Sequence, residues 1–284
     1  MLGNIKPLLT IFFLSILLVA CNGEKMPEKQ THFGSLKDVP DSSWEKLAQK
    51  RIFFGHQSVG FNIIDGLKDL MKENPQLKLN IVETSNPADF DKPIFAHARV
   101  GKNTDPKSKI DEFSAFMEKG IGNKADIAFF KFCYVDVTAT TNIDKVFQDY
   151  KNTLSRLKKE CPKATFIHVT VPLTSKPTGF QAYMKKAKEL AKRIIGRSVF
   201  NHYDNIERSR FNEMIRREYH DKEPVFDLAK VESTHPDGRT ETFTKDGDIF
   251  YSLVPDYTYD GGHLNETGSK VAAEQLLLLL VSLS

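Results

Sequence analysis

Three side chains in this sequence have the chemistry of covalent catalysis: the Ser58 hydroxyl, the His263 imidazole and the Asp260 carboxylate. Ser58 lies in Gly55-His56-Gln57-Ser58-Val59-Gly60, between a short apolar run and a segment of helical periodicity. A serine at a strand-to-helix junction holds its hydroxyl at the C-terminal edge of a sheet, and the N–H at the helix start can receive negative charge. A nucleophile whose attack creates an oxyanion needs both. The same position suits a plain helix N-cap, which the hexapeptide taken alone favours. It is not the G-x-S-x-G elbow. Asp260 and His263 share the turn Tyr259-Asp260-Gly261-Gly262-His263-Leu264-Asn265, directly before the last helical segment. At that spacing a carboxylate can fix the imidazole tautomer and raise its basicity. Taken alone, Asp-x-x-His is also the composition of an ordinary surface turn.

To meet, these residues need a scaffold that brings the first strand and the last helix together. Short apolar runs alternate with helical patterns, which predicts a parallel sheet with helices on both faces. The expected strands are 51–55, 77–82, 125–132, 165–171 and 224–228. The expected helices are 59–71, 107–119, 144–160, 180–195, 206–219 and 266–283. Residues 83–106 and 238–259 read as long loops. The fold expected is therefore a three-layer α/β/α sandwich around a mainly parallel five-stranded sheet. The five-leucine run in the last helix is too short to span a bilayer and reads as a buried helix on the sheet.

With the serine after the first strand and Asp-x-x-His before the last helix, the chain resembles the SGNH or GDSL-like esterase and lipase superfamily from about residue 50 to its end. The resemblance implies a flavodoxin-like sandwich and a Ser58–His263–Asp260 triad without cofactor. It also implies an oxyanion hole formed by the N–H groups of Ser58 and Gly101. Two departures stand out. The first block reads Gly-His-Gln-Ser where the family has Gly-Asp-Ser. The block after the 125–132 strand, Lys131-Phe132-Cys133-Tyr134-Val135-Asp136, lacks the family's oxyanion-hole Asn. Asn103 is the candidate replacement, since losing one such donor costs about 100- to 1000-fold in rate. An ester hydrolase is the first reading. A non-catalytic glycan binder on the same fold and an O-acyltransferase are the alternatives.

Other residues admit a second reading. Cys133 could be a nucleophile, although an apolar strand-end cysteine is generally inert. His56 either faces substrate or is a hydrogen-bonded structural histidine. Asp136 and Asp227, at strand ends, either line the pocket or cap the next segment. Tyr251, Tyr257 and Tyr259 either stack on a sugar or bury the long loop. The remaining histidines show no metal-ligand spacing.

At the N-terminus, Lys6 precedes the apolar run Pro7–Ala20, and Leu18-Val19-Ala20-Cys21 resembles the lipobox of bacterial lipoproteins. That resemblance implies a signal peptide over 1–20, acylation of Cys21 and an extracytoplasmic membrane anchor. Residues 21–43 read as a polar tether and 44–284 as one domain. In that compartment the expected substrate is an ester such as an acetylated polysaccharide. A net charge of +3 with scattered lysines gives no basic stripe for nucleic acid. Cys133 and Cys161 are expected at opposite ends of neighbouring strands, roughly 20 Å apart, beyond the reach of a disulfide.

Overall fold

The computed structural model describes residues 34–176 and 202–284. Its centre is a six-stranded sheet of β1 (Arg51–His56), β2 (Ile81–Glu83), β3 (Ile94–Arg99), β4 (Ile127–Phe130), β5 (Thr165–Val169) and β6 (Val225–Phe226). The spatial order is β2-β3-β1-β4-β5-β6, and every neighbouring pair is parallel. After β1 the chain builds β2 and β3 on one side, then crosses to β4 on the other. The C-terminal end of β1 is thus the switch point, where open α/β sheets place their ligands.

One strand more is present than the sequence predicts. β3 falls inside the expected 83–106 loop. Its Ile-Phe-Ala-His-Ala-Arg has small alanines in place of β-branched residues and two charge-capable side chains. Yet Ala96 and His97 are almost fully buried. Packing between β1 and β2 overrides a weak strand propensity there. The second expected loop also hides structure, an antiparallel hairpin of β7 (Thr242–Lys245) and β8 (Asp248–Tyr251).

Among the described residues the helices are α1 (Asp41–Ala48), α2 (Val59–Glu73), α3 (Pro106–Phe116), α4 (Ile143–Glu160), α5 (Tyr203–Tyr219), α6 (Leu228–Ser233) and α7 (Glu266–Ser282). Two cores lie on opposite faces of the sheet. Ile52 and Phe54 of β1 face the core that includes Ile63 and Leu67 of α2 and Leu276 and Leu280 of α7. Phe53 faces the other core, with Phe113 of α3, Leu154 of α4 and Phe211 of α5. Burial of both faces explains the unbroken apolar run in β1, and the result is a three-layer sandwich.

The folded body begins before residue 44. Leu36 and Val39 are buried with Trp44 and Leu47, so part of the expected tether packs on the core. The apolar run and cysteine at the N-terminus, and the helix expected over 180–195, lie outside the described residues. No helix among the described residues is long and apolar enough to cross a membrane.

The α2–α7 contact brings two candidate segments together. The Ser58 turn precedes α2 and the His263 turn precedes α7. A Cβ on Gly66 of α2 would collide with the Ser269 carbonyl of α7, so only glycine permits this approach.

Candidate active site

Ser58 sits between the end of β1 and the first residue of α2. Its hydroxyl makes no capping bond to the helix, so the simple N-cap role does not apply. Its backbone has φ 52° and ψ −113°, an uncommon conformation for a residue with a side chain and costly enough that the surroundings must enforce it. The hydroxyl instead lies 2.7 Å from His263 Nε2. On the far side of the ring, His263 Nδ1 lies 2.6 Å from Asp260 Oδ2. Asp260 Oδ1 accepts the N–H groups of Gly262 and His263 at 2.9 and 2.8 Å. Partial burial opposes the charge on Asp260. The bonds from the ring and from these two N–H groups outweigh it and hold the carboxyl below its usual range. Facing an ionised carboxylate, Nδ1 carries the proton, which leaves Nε2 to accept from the Ser58 hydroxyl.

The turn that holds His263 is itself pinned. Thr258 Oγ1 donates to the His263 carbonyl at 2.6 Å and accepts the Gly261 N–H at 2.9 Å. Asn62 of α2 accepts the Leu264 N–H at 3.2 Å, tying the helix that follows Ser58 to the turn that holds His263.

Of the three expected oxyanion donors, the Gly101 N–H is already engaged. Gly101 follows β3 and has φ 59°, with its Cα packed on the Lys109 backbone of α3. Its N–H donates to the Glu112 carboxylate at 2.5 Å, so that donor is already engaged. The Asn103 side-chain oxygen accepts from Lys109 Nζ at 3.0 Å, a contact that fixes the amide without using its Nδ2 donor. By contrast, the Ser58 N–H donates to no group among the described residues. Gln57, which the sequence reading passed over, joins the two segments. Its Nε2 donates to the carbonyls of Val100, at 2.9 Å, and Gly101. It lies in the Gly-His-Gln-Ser block, which is one residue longer than Gly-Asp-Ser, and that added length was the available signal.

Asp136 and Asp227 are structural. Asp136 is fully buried, accepts Lys109 Nζ at 2.6 Å, and takes the N–H groups of Cys133 and Thr104 at 2.6 and 2.8 Å. It therefore clamps the loop containing Asn103 to the end of β4, and breaking a buried pair of this kind costs about 3–5 kcal/mol. Asp227 caps α6 through the Lys230 N–H and pairs with Arg216. His56 is buried 3.1 Å from His97, and burial together with the charges of Lys131 and Arg99 and the His97 ring drives its pKa down to about 2. It is a neutral structural histidine.

Cys133 and Cys161 are both buried and unpaired. The Cys133 thiol donates to the Gln57 carbonyl at 3.6 Å. Of the three tyrosines expected near the turn, Tyr257 is buried and donates to the Thr234 carbonyl. Tyr251 lies on the hairpin above Arg216. Tyr259 is 63% exposed and parallel to the His263 ring, with centroids 6.0 Å apart. Tyr134, also passed over in the sequence, meets the same ring edge-on at 5.6 Å. Burial, with the charge of Asp260, pushes its hydroxyl up to about 12. It therefore stays neutral beside the carboxylate.

Several solved structures share the general arrangement at low identity. A proposed GDSL-like lipase from Parabacteroides merdae is 10% identical with a TM-score of 0.48, covering 84% of this chain and 99% of that one. A proposed platelet activating factor from Streptococcus pneumonia is 12% identical with a TM-score of 0.47, covering 84% and 90%. A proposed acylhydrolase from Bacteroides fragilis is 13% identical with a TM-score of 0.46, covering 86% and 95%. No functionally curated protein matches the chain. The family model for GDSL-like lipases and acylhydrolases matches residues 41–276, a span that holds every element of the sheet as well as Ser58, Asp260 and His263, and the chain belongs to that family.

Proposed function

We propose that this protein is a serine ester hydrolase in which Ser58 is the nucleophile, His263 the general base and Asp260 the residue that orients it. The observation that carries the reading is the continuous hydrogen-bonded chain from Ser58 Oγ through both nitrogens of His263 to Asp260. As Ser58 Oγ bonds to the ester carbonyl carbon, its proton passes to Nε2. The carbonyl oxygen becomes an oxyanion, with the Ser58 N–H as donor, joined by the Gly101 N–H once Glu112 yields it. Collapse breaks the bond to the alcohol, which leaves with the proton from His263. Water then enters by the same route and frees the acid.

The lipobox-like Leu-Val-Ala-Cys21 supports an extracytoplasmic, lipid-anchored location, where acetylated polysaccharide is the substrate class in reach. The occupied Gly101 N–H and the absent family Asn favour one second reading, a glycan-binding protein with an idle serine. Labelling with a fluorophosphonate separates the two. The hydrolase labels at Ser58, turns over p-nitrophenyl acetate, and loses both properties in Ser58→Ala with its circular dichroism unchanged. Equal turnover by the variant removes the assignment. A sugar acceptor added to the reaction detects any transfer to hydroxyl in place of water.

A further inference from the structure

Arg99 ends β3 at the same sheet edge as Ser58. Its register partner is His56, two residues before the serine. It is exposed, and its guanidinium lies 4.6 Å above the ring of Phe61. Phe61 belongs to the first turn of α2, and its N–H donates to the Ser58 carbonyl at 2.9 Å. The first turn of the nucleophile's own helix therefore supports the cation.

Arg99 also differs from its kind. Every other arginine among the described residues has a carboxylate within 4.0 Å. Arg99 has none among those residues. The acids closest by register and sequence do not reach it. Glu83 of β2 stands opposite His97 rather than Arg99, and Glu112 is held by the Gly101 N–H. A guanidinium held over an aromatic ring spends none of its N–H donors on a carboxylate and can offer them to a planar oxyanion.

We infer that the site prefers esters that also carry a carboxylate, which Arg99 receives from its seat on Phe61. The inference rests on Ser58 being the nucleophile. It extends that reading by naming the charge of the substrate and the residue that selects it. The carboxylate belongs on a group close to the ester, on either the acyl or the alcohol side, since the cation and the hydroxyl flank one helix turn.

Two matched pairs of esters test this. For the acyl side, mono-p-nitrophenyl succinate is compared with p-nitrophenyl acetate. For the alcohol side, p-acetoxybenzoate is compared with phenyl acetate. The expected result is a higher kcat/KM for the anionic member of at least one pair. The ratio of anionic to neutral should fall about tenfold in Arg99→Gln, the size of one charge-assisted hydrogen bond. Arg99→Lys should keep part of the ratio, and added salt should lower it in the unmodified protein. No preference in either pair overturns the inference, as does an Arg99→Gln variant that slows both members by the same factor. Neutral-ester turnover that persists in Ser58→Ala would instead overturn the nucleophile assignment, so the two failures are distinguishable.

Discussion

His263 is held by contacts of different kinds around its ring. Asp260 takes one nitrogen, Ser58 approaches the other, Tyr134 meets an edge and Tyr259 lies parallel to a face. Only the carboxylate selects the tautomer. Asp260→Asn presents an amide of the same shape that can donate to Nδ1 and leave Nε2 protonated, the wrong partner for a hydroxyl. Ester turnover should then fall by about a thousandfold or more with little change in KM. A KM effect with kcat preserved would show that Asp260 acts on substrate binding. That Ser58, Asp260 and His263 belong together was legible in the sequence because each has a chemistry that its neighbours lack, and the structure places them in contact. The supporting residues were not. Gln57, Asn62 and Glu112 are ordinary polar side chains, and their roles come from which backbone N–H or carbonyl they reach across the fold. Gly101 was legible as a loop glycine, but the direction of its N–H depends on α3 and could not be read from spacing.

At the scale of elements, the contact between Ser58 and His263 depends on how closely α2 and α7 approach. Gly66 and Ser269 touch through backbone, so Gly66→Leu must push the helices apart or tilt them. The expected outcome is a double loss. Stability falls by about 1–3 kcal/mol in denaturant unfolding, and turnover falls further than stability does, because the gap opens between the hydroxyl and the imidazole. Retained activity in a destabilised variant would mean that the turns, not the helices, set the geometry. The sequence showed both helices plainly through their apolar periodicity. It did not show β3, because Ala96, His97 and Ala98 carry no strand signature and owe their burial to neighbours on both sides. The hairpin of β7 and β8 was hidden for a related reason. None of its residues is buried, so no buried face imposes an alternating pattern.

For the molecule as a whole, the pH dependence of stability from mildly acidic to neutral pH should rest on one buried acid. Glu232 of α6 is almost fully buried. One oxygen accepts the Leu173 N–H at 2.7 Å, and the other has no partner among the described residues. Burial raises its pKa from 4.5 to about 8, against the opposing pull of the Leu173 bond, Lys131 and Arg208. Between those values the folded protein keeps a proton that the unfolded chain has released. Stability therefore declines as pH rises through that window, by at most about 1.4 kcal/mol per pH unit. Glu232→Gln should remove the decline. Its melting temperature should gain on the parent protein by up to about 10 °C between pH 5 and pH 8, and parallel curves would show that the carboxyl does not titrate there.

The two halves of the proposed reaction centre lie far apart along the polypeptide, at a sequence separation of 205. A ribosome making this chain produces the serine early and the imidazole long afterwards. A nascent chain that already holds β1, α2 and most of the sheet still has a nucleophile with nothing to take its proton. Ester cleavage thus waits for the closing segment to dock, and premature termination anywhere upstream of that histidine yields a fragment that cannot turn over substrate.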